Sequence, residues 1–414
     1  MEPVYREWDS VQQVEYIYRR RTISAVDSPL ERVRVTPHRS RGRNFFRDVF
    51  LPIGYPHSVS ADYATYQIWD TVQAFASNIS GSLATQAVLE GVGVGDDSAT
   101  ALAATITWLL RHGTGMCGQI MFTWIQGSDL DHNCKKWRLF ADIMNDSAIL
   151  IELTAPLWAT SCIQFVLCLA SVARSLVGVS GSATRAAITQ HQAQKNNISD
   201  VAAKDGSQET LVGLIALLLN LLILPLVGQE ETLKWFLFFF MTCLHLFANY
   251  RAVTALQFQT FNQERFLRVI TEYFRSQIVL DVPEGNQRES VLFGGQLSEF
   301  GLWGKRIHFG APFSKLIALN LISKWKNSPT KEKENFSIIS NEKDILVIFE
   351  RNIETNSDVG HKAYFQACCL AQYGDDVPAN IAFEDFKLQA QAKGWDFSVL
   401  QINSEGFFGK EKQQ

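Results

Sequence analysis

Between Asp48 and Leu110 the sequence contains no lysine or arginine, although the 414-residue chain carries 38 of them. A water-facing surface of that length is not expected to do without either residue, so something other than water faces much of the stretch. Cysteine is sparse. The seven cysteines form no CxxC and no paired histidine spacing, which excludes a disulfide framework and an encoded zinc site and leaves reduced, buried thiols. The net charge of −4 and a pI near 6.1 lack the imbalance of a polyanion binder, so nucleic acid is not an expected partner. The N-terminus has no apolar signal-peptide core, and the sequons at Asn78, Asn197 and Asn335 are expected to be chance matches. GxSxG, Walker A and HExxH are absent; no catalytic residue, cofactor or metal is expected.

The charge that is present is unevenly placed. Arg19, Arg20 and Arg21, followed by Arg32, Arg34, Arg39, Arg41, Arg43 and Arg47, make residues 1–47 a basic N-terminal arm. Glu2, Glu7, Asp9 and Glu15 argue against an organelle-targeting leader and favour a solvated arm. Residues 63–90 then place Tyr66, Asp70, Gln73, Ser77, Ser80 and Thr85 three to four apart among Ile68, Trp69, Val72, Phe75, Ile79 and Leu83, a helix with one narrow polar stripe. Residues 98–126 and 147–173 predict two more long helices, with Arg111 and His112 in the first and Glu152 in the second. Residues 211–228 hold no charge; as a helix they span about 27 Å against a hydrocarbon core of about 30 Å, enough to cross a bilayer. WFLFFFMTCLHLFANY, within 232–250, would return as the second limb of a hairpin, and Pro225 is tolerable where neighbouring helices satisfy the carbonyl it frees. The competing reading, a buried hairpin in a soluble all-α protein, draws on a mean hydropathy of only −0.02.

Residues 251–280 predict an amphipathic helix lying on the membrane or on the helical core, apolar at Leu256, Phe258, Phe261, Phe266, Leu267, Ile270 and Phe274. From 281 the pattern is that of a soluble α+β domain. FSIIS and DILVIF flank 341–343 as a hairpin, KAYFQACCLA and AFEDFKLQAQAK are helices, and Gly394 ends the second before DFSVLQI. The expected architecture is mainly α: a polytopic α-helical membrane core over 48–250 with a small C-terminal α+β domain over 281–414.

An ionisable group at bilayer depth costs on the order of 2.5 to 3.5 kcal/mol on insertion scales. Asp70, Glu90, Arg111, Glu152 and Arg185 are therefore expected to pair with one another, Asp70 with Arg185 or Arg111 first, as structural pairs or as the lining of a solute path. NNISDVAAKDGSQETLV, 196–212, crowds Asp200, Lys204, Asp205 and Glu209 before an apolar run with no further charge until Glu230. It reads as a polar gate before a lipid-facing helix that Ser207 and Thr210 cap and whose positive end Asp205 and Glu209 suit. Capping leaves Arg185, Gln190, His191, Asn197, Lys204 and Gln208 to join Tyr66 and Gln73 as buried-polar candidates.

SGSLATQAVLEG at 80–91 and SGSATRAAITQH at 180–191 share a Ser-Gly-Ser and an Ala-Thr-x-Ala. Duplicated halves with small-residue helix faces are one reading, convergent packing the other. GTGMCG at 113–118 satisfies GxGxxG without the surrounding strands of a dinucleotide fold, so its glycines are expected to permit close helix packing. GVGVGDD at 91–97 reads as an exposed turn. The basic arm with Lys135, Lys136 and Arg138 suggests both ends on the cytoplasmic or equivalent side of an even number of crossings.

FLPIGYPHSVSADYATYQIWDTVQAFASNISGSLATQAVLEGVGVG, TWLLRHGTGMCGQIMF, KKWRLFADIMND, SGSATRAAITQHQAQKNNISDVAAKDGSQETLV and LHLFANYRAV give the chain, over roughly residues 45–280, a close resemblance to the root UV-B sensitive family. The resemblance implies a eukaryotic protein with a shared domain of unassigned function. Its plant members are implicated in seedling development, UV-B response, auxin transport and vitamin B6 homeostasis, two of them as a working pair. It supplies no reaction, and Gln86 stands where the pattern is often basic, which removes an ionic role there. The expectation is a non-enzymatic integral membrane protein with transporter-like solute handling through a polar helical interior, its partners a lipid membrane and another family member. The alternative is a membrane adaptor acting through its soluble tail. A soluble cofactor-binding enzyme comes third and would need a pocket beside 113–118.

Overall fold

The computed structural model describes residues 5–9, 14–20, 30–34, 41–92, 101–127, 129–227, 230–295, 297–326, 335–349 and 357–407. The basic arm is not simply solvated chain. It holds an antiparallel meander, β1 (Tyr5–Asp9), β2 (Val14–Arg20) and β3 (Leu30–Arg34), in that order. VEYIYRR favours a strand because Val14, Tyr16 and Tyr18 alternate along one face. Tyr18 lies opposite Tyr5, and its hydroxyl donates to Glu7 Oε2 at 2.6 Å. Helix α1 (Arg41–Phe50) follows.

Six long helices make the middle of the chain: α2 (Tyr63–Gly91), α3 (Ala101–Gln126), α4 (Cys134–Leu153), α5 (Thr160–Gln192), α6 (Ile198–Val227) and α7 (Glu231–Ala255). Two boundaries depart from expectation. The helix predicted over 147–173 is broken between α4 and α5 by a 3₁₀ turn at Ala155–Leu157, because Pro156 has no amide hydrogen to continue the ladder. The charged string before the apolar run is also not outside the helix. It forms the first three turns of α6, and Ser207 and Thr210 do not cap it: their hydroxyls donate to the Ala203 and Gly206 carbonyls, at 2.9 and 2.8 Å, in mid-helix.

Among the described residues three helices are long and apolar enough to cross a membrane: Cys162–Gln192, Ile198–Val227 and Glu231–Ala255. The 30 residues of α6 extend about 45 Å, more than the thickness of a hydrocarbon core, about 30 Å. Past Glu209 it carries no charge and leaves Leu214, Leu217, Leu218, Leu221, Leu222 and Leu226 exposed.

The remainder is α+β. The amphipathic segment is shorter than predicted: α7 runs to Ala255, β4 (Thr260–Asn262) follows, and Asn262 caps α8 (Gln263–Ser276) by accepting Arg265 N–H at 2.8 Å. Phe266, Leu267, Ile270 and Tyr273 of α8 are fully buried with Phe365, Phe386 and Trp395, so its apolar face lies on protein and not on lipid. Then come α9 (Val282–Gln287), α10 (Glu299–Trp303), β5 (Arg306–Phe309), α11 (Phe313–Ala318), α12 (Ile322–Lys326), β6 (Phe336–Ser340), β7 (Asp344–Phe349), α13 (Ser357–Tyr373), α14 (Phe383–Ala392) and β8 (Asp396–Gln401). The β6–β7 hairpin, α13, α14 and β8 fall where the sequence places them. β4 pairs in parallel with β8; β5, β7 and β6 form a second sheet, β5 parallel and β6 antiparallel to the central β7. One face of that sheet, with Phe336, Val347 and Phe349, packs with Tyr364 and Phe365 of α13. The other, with Ile339, Leu346 and Ile348, packs with Leu316, Leu321 and Trp325.

The chain divides into two compact units that do not follow chain order: Met1–Ala104 with Ile149–Leu167 and Arg185–Ala252, and Thr105–Ala148 with Cys168–Thr184 and Val253–Gln414. The α+β tail thus shares its unit with segments of α3, α4 and α5.

Candidate functional site

In the first unit α2 lies beside α6 and α7. The contacts Gln208 to Tyr63 and Asn220 to Ser82 keep nearly constant separations of 145 and 138 residues, so α2 and α6 run parallel. Lys234 near Glu90, His245 beside Gln73 and Phe247 against Trp69 progress oppositely, so α7 runs antiparallel. The polar stripe of α2 turns in part into this bundle. Gln73 Nε2 and His245 Nε2 lie 3.1 Å apart with both residues buried, and Asn220 donates to Ser82 Oγ at 2.7 Å. Tyr66 is buried and its hydroxyl reaches Asp70 Oδ1 at 3.4 Å. Ser80 Oγ, Asn220 Oδ1 and Thr242 Oγ1 are buried without a hydrogen-bond partner among the described residues.

At the polar end, the segment before α2 is sewn to the corner between α5 and α6. Val59 bridges to Ala193, Ser60 N–H donates to Gln192 O at 3.0 Å, and Gln194 N–H donates to Ser58 O at 3.2 Å. His191 Nε2 lies 2.8 Å from Asp62 Oδ2, and Ser60 Oγ donates to the same carboxylate. From α6, Asp200 accepts Ile53 N–H at 2.7 Å, Gln208 donates to Phe50 O at 2.6 Å, and Lys204 donates to Asp48 O. Asn197 O accepts the first helical bond of α6 from Val201, at 3.0 Å.

Arg185 is not paired with Asp70. Its guanidinium meets Asp205 at 2.6 Å and Glu209 at 2.8 Å. The corner at 193–197 is the reason: Arg185 and Asp205 stand equally far from Lys195 along the chain, so the reversal brings them together. The remaining candidates do not join this cluster. Glu90 is exposed at the far end of α2, accepting from Gln86 at 2.9 Å; Gln190 is exposed; Glu152 is buried on α4. Arg111 belongs to the second unit, where its Nε donates to Ser171 Oγ at 3.1 Å and its guanidinium lies 5.2 Å from the centre of the Trp108 ring.

GTGMCG is helical within α3. A Cβ on Gly118 would lie 2.6 Å from Ser175 Oγ, so this glycine permits a close approach to α5, whereas one on Gly115 would make ordinary contact with Ser171 O at 3.5 Å. Of GVGVGDD, residues 93–97 lie outside the described residues.

The second unit holds a charged centre that the sequence reading assigned to solvent. Lys135 and Lys136 are 1 % and 2 % exposed and cannot mark membrane orientation. Lys135 Nζ meets Glu289 at 3.0 Å and Asn286 Oδ1 at 2.8 Å, and Arg265 Nη1 lies 2.9 and 3.0 Å from the two Glu289 oxygens. Lys136 meets Glu264 at 2.7 Å, and Arg268 reaches the other Glu264 oxygen at 3.1 Å. Burial opposes the Glu289 charge, but Arg265 and Lys135 more than reverse this and hold its carboxyl at about 2; burial also pushes Lys135 down, against the pull of Glu289.

In both clusters the charged groups face one another, an arrangement suited to locking segments together. Residues 36–277, a range that holds the polar corner and all three long apolar helices, match the family model described as the vitamin B6 photo-protection and homoeostasis domain. RUS family member 1 of Dictyostelium discoideum is 44% identical over 253 residues, 60% of this chain and 48% of that protein. Protein root UVB sensitive 3 of Arabidopsis thaliana is 39% identical over 285 residues, 66% of this chain and 63% of that one. Protein root UVB sensitive 5 of Arabidopsis thaliana is 29% identical over 335 residues, 76% and 62% of the two chains. The chain thus spans from about half to under two thirds of the length of these curated relatives. No solved structure matches.

Proposed function

This chain belongs to the root UV-B sensitive family, and from that premise we propose that it is a non-catalytic membrane adaptor: helices hold it in lipid while its α+β part recruits other proteins. One observation carries the reading. Every charge of α6 lies in its first turns and is engaged, with Ile53, Asp48 or Arg185, whereas the rest of the helix is uncharged and turns leucines outward. Exposed apolar surface of that extent suits lipid, and charges already matched to one another are poorly placed to turn over a substrate. Lipid and another family member are the expected partners. In the setting that the domain's description names, vitamin B6 photo-protection and homoeostasis, such an adaptor would organise proteins at a membrane and leave the vitamin chemically untouched. Carbonate extraction of the tagged protein tests insertion: it should stay in the membrane pellet, and release into the supernatant would overturn the reading.

A second reading, a solute path between α2, α6 and α7, is favoured by the buried oxygens of Ser80, Asn220 and Thr242, which have no hydrogen-bond partner among the described residues. It predicts uptake of pyridoxine into proteoliposomes that Asn220→Leu abolishes. Equal uptake by protein-free vesicles would remove it.

A further inference from the structure

We propose that the slot along the outer edge of β6, which pairs with no further strand among the described residues, binds an extended peptide as an added strand. β6 is the outer strand of the β5-β7-β6 sheet. Arg306 N–H donates to Lys343 O at 2.8 Å and Ala311 N–H to Val347 O at 3.0 Å, so the odd-numbered residues of β7 turn their backbone toward β5 and the even-numbered ones toward β6. Asn341 N–H donating to Asp344 O at 2.9 Å closes the hairpin in the same phase, which makes Ile339↔Leu346 and Ser337↔Ile348 the hydrogen-bonded pairs. The backbone groups of Phe336, Ile338 and Ser340 therefore point out of the sheet. Lys324 Nζ donates to Ser340 O at 3.1 Å, a guard for one carbonyl of the edge.

A cavity of ≈ 950 Å³ lies at that edge. Its walls are the layers that cover the sheet's two faces: Ser323 and Lys324 from α12, and Lys362, Phe365, Gln366 and Cys369 from α13. Both layers thus border the place a fourth strand would take. From Lys362 to Tyr373, where α13 ends, its wall runs about 17 Å at 1.5 Å per residue, room for about five residues of extended chain. Phe365, Leu370 and Phe383 offer apolar contacts to alternate side chains. Asp375, past the end of this wall, suits an occupant with a basic side chain there. The slot lies outside the family-matched residues 36–277. Its cellular purpose rests on the adaptor reading, which it deepens by naming the partner class, but peptide binding can be measured whether or not the helices enter lipid.

The probe is a fluorescein-labelled, end-blocked heptapeptide, Glu-Val-Thr-Val-Thr-Val-Lys, titrated by anisotropy into the detergent-purified full chain. Two derivatives carry N-methyl groups on the valine or on the threonine amides. Strand addition expects one of the two to bind at least ten-fold more weakly and the other to bind nearly as well, because alternate amides face β6. Hydrogen exchange at the Ile338 amide should slow at least ten-fold with peptide, while the Ile339 amide, already in the ladder, should not change. Ile338→Pro removes an outward N–H that an edge strand can lose, and should weaken binding at least ten-fold with an unchanged circular dichroism spectrum. If that variant fails to fold, the methylated pair on the wild-type chain decides. No binding at millimolar peptide, equal behaviour of the two derivatives, or binding without slower exchange at Ile338 would each overturn the proposal; retained binding by folded Ile338→Pro would do the same.

Discussion

Lys136 and Glu264 meet with neither side chain more than 3% exposed, so truncating either leaves the other's charge in the interior without its closest counterion. Lys136→Met is expected to cost about 3 to 5 kcal/mol in denaturant unfolding of the purified protein, several times the effect of removing an exposed ion pair. His361 offers a different test. Its Nδ1–H donates to Ser357 O at 2.8 Å, while Nε2 is buried against rings that include Phe266 and Phe397, with no hydrogen-bond partner among the described residues. Burial pushes its pKa down to about 4, from an unfolded value near 6.5. The unfolded chain therefore takes up the proton first as pH falls, so the stabilisation is complete above about pH 6.5 and is lost progressively toward pH 4, by roughly 3 kcal/mol in all. Urea unfolding at pH 7.5 and 4.5 should show this fall, and His361→Phe should reduce it. An unchanged fall in the variant would assign the pH dependence to other groups.

At the scale of elements, α3 and α5 approach closely because of Gly118. An alanine Cβ there would press on Ser175 Oγ, itself held by Val172 O at 2.6 Å, and the clash should outweigh the helix propensity gained. Gly118→Ala alone is expected to lower the melting temperature. In a Ser175→Ala background the same change should raise it, since the nearest remaining atom would be a Cβ at 3.6 Å. A lower value in both backgrounds would mean that the contact is set by something other than this hydroxyl.

The elements most legible in the sequence were those whose period had no rival: the striped helix over 63–90, the FSIIS–DILVIF hairpin, and the helices and strand after 357. The start of α6 was not legible, because four charges in ten residues resemble a cap as much as a helix interior, and in the structure they are the interior of its polar turns. The candidate site was legible in composition and not in pairing. Arg185, Asp205 and Glu209 were all identified, yet which carboxylate takes the arginine depends on a reversal at 193–197 that no periodicity announces. Lys135 and Lys136 were misread for the opposite reason. Adjacent lysines ordinarily mean solvent, and their counterions, Glu289 and Glu264, lie more than a hundred residues away in sequence.

At the scale of the whole molecule, a chain proposed to enter a bilayer is also proposed to take a route through it. Lys135 precedes, and Glu289 follows, all three helices long enough to cross, and the two side chains touch at 3.0 Å. Atoms in contact share one side of any membrane, so the chain between them must traverse it an even number of times. On the proposed membrane reading, three traverses are excluded and the α6–α7 pair would supply two. In a background where the exposed Cys117, Cys162 and Cys243 are serine, cysteines placed singly at His132 and Asn403 should be labelled by an impermeant maleimide from the same side of sealed vesicles. Labelling from opposite sides would refute the shared-side geometry. One ion pair thus serves as a parity check on topology, a constraint that hydropathy cannot supply because it counts oily segments without knowing where their ends must meet again.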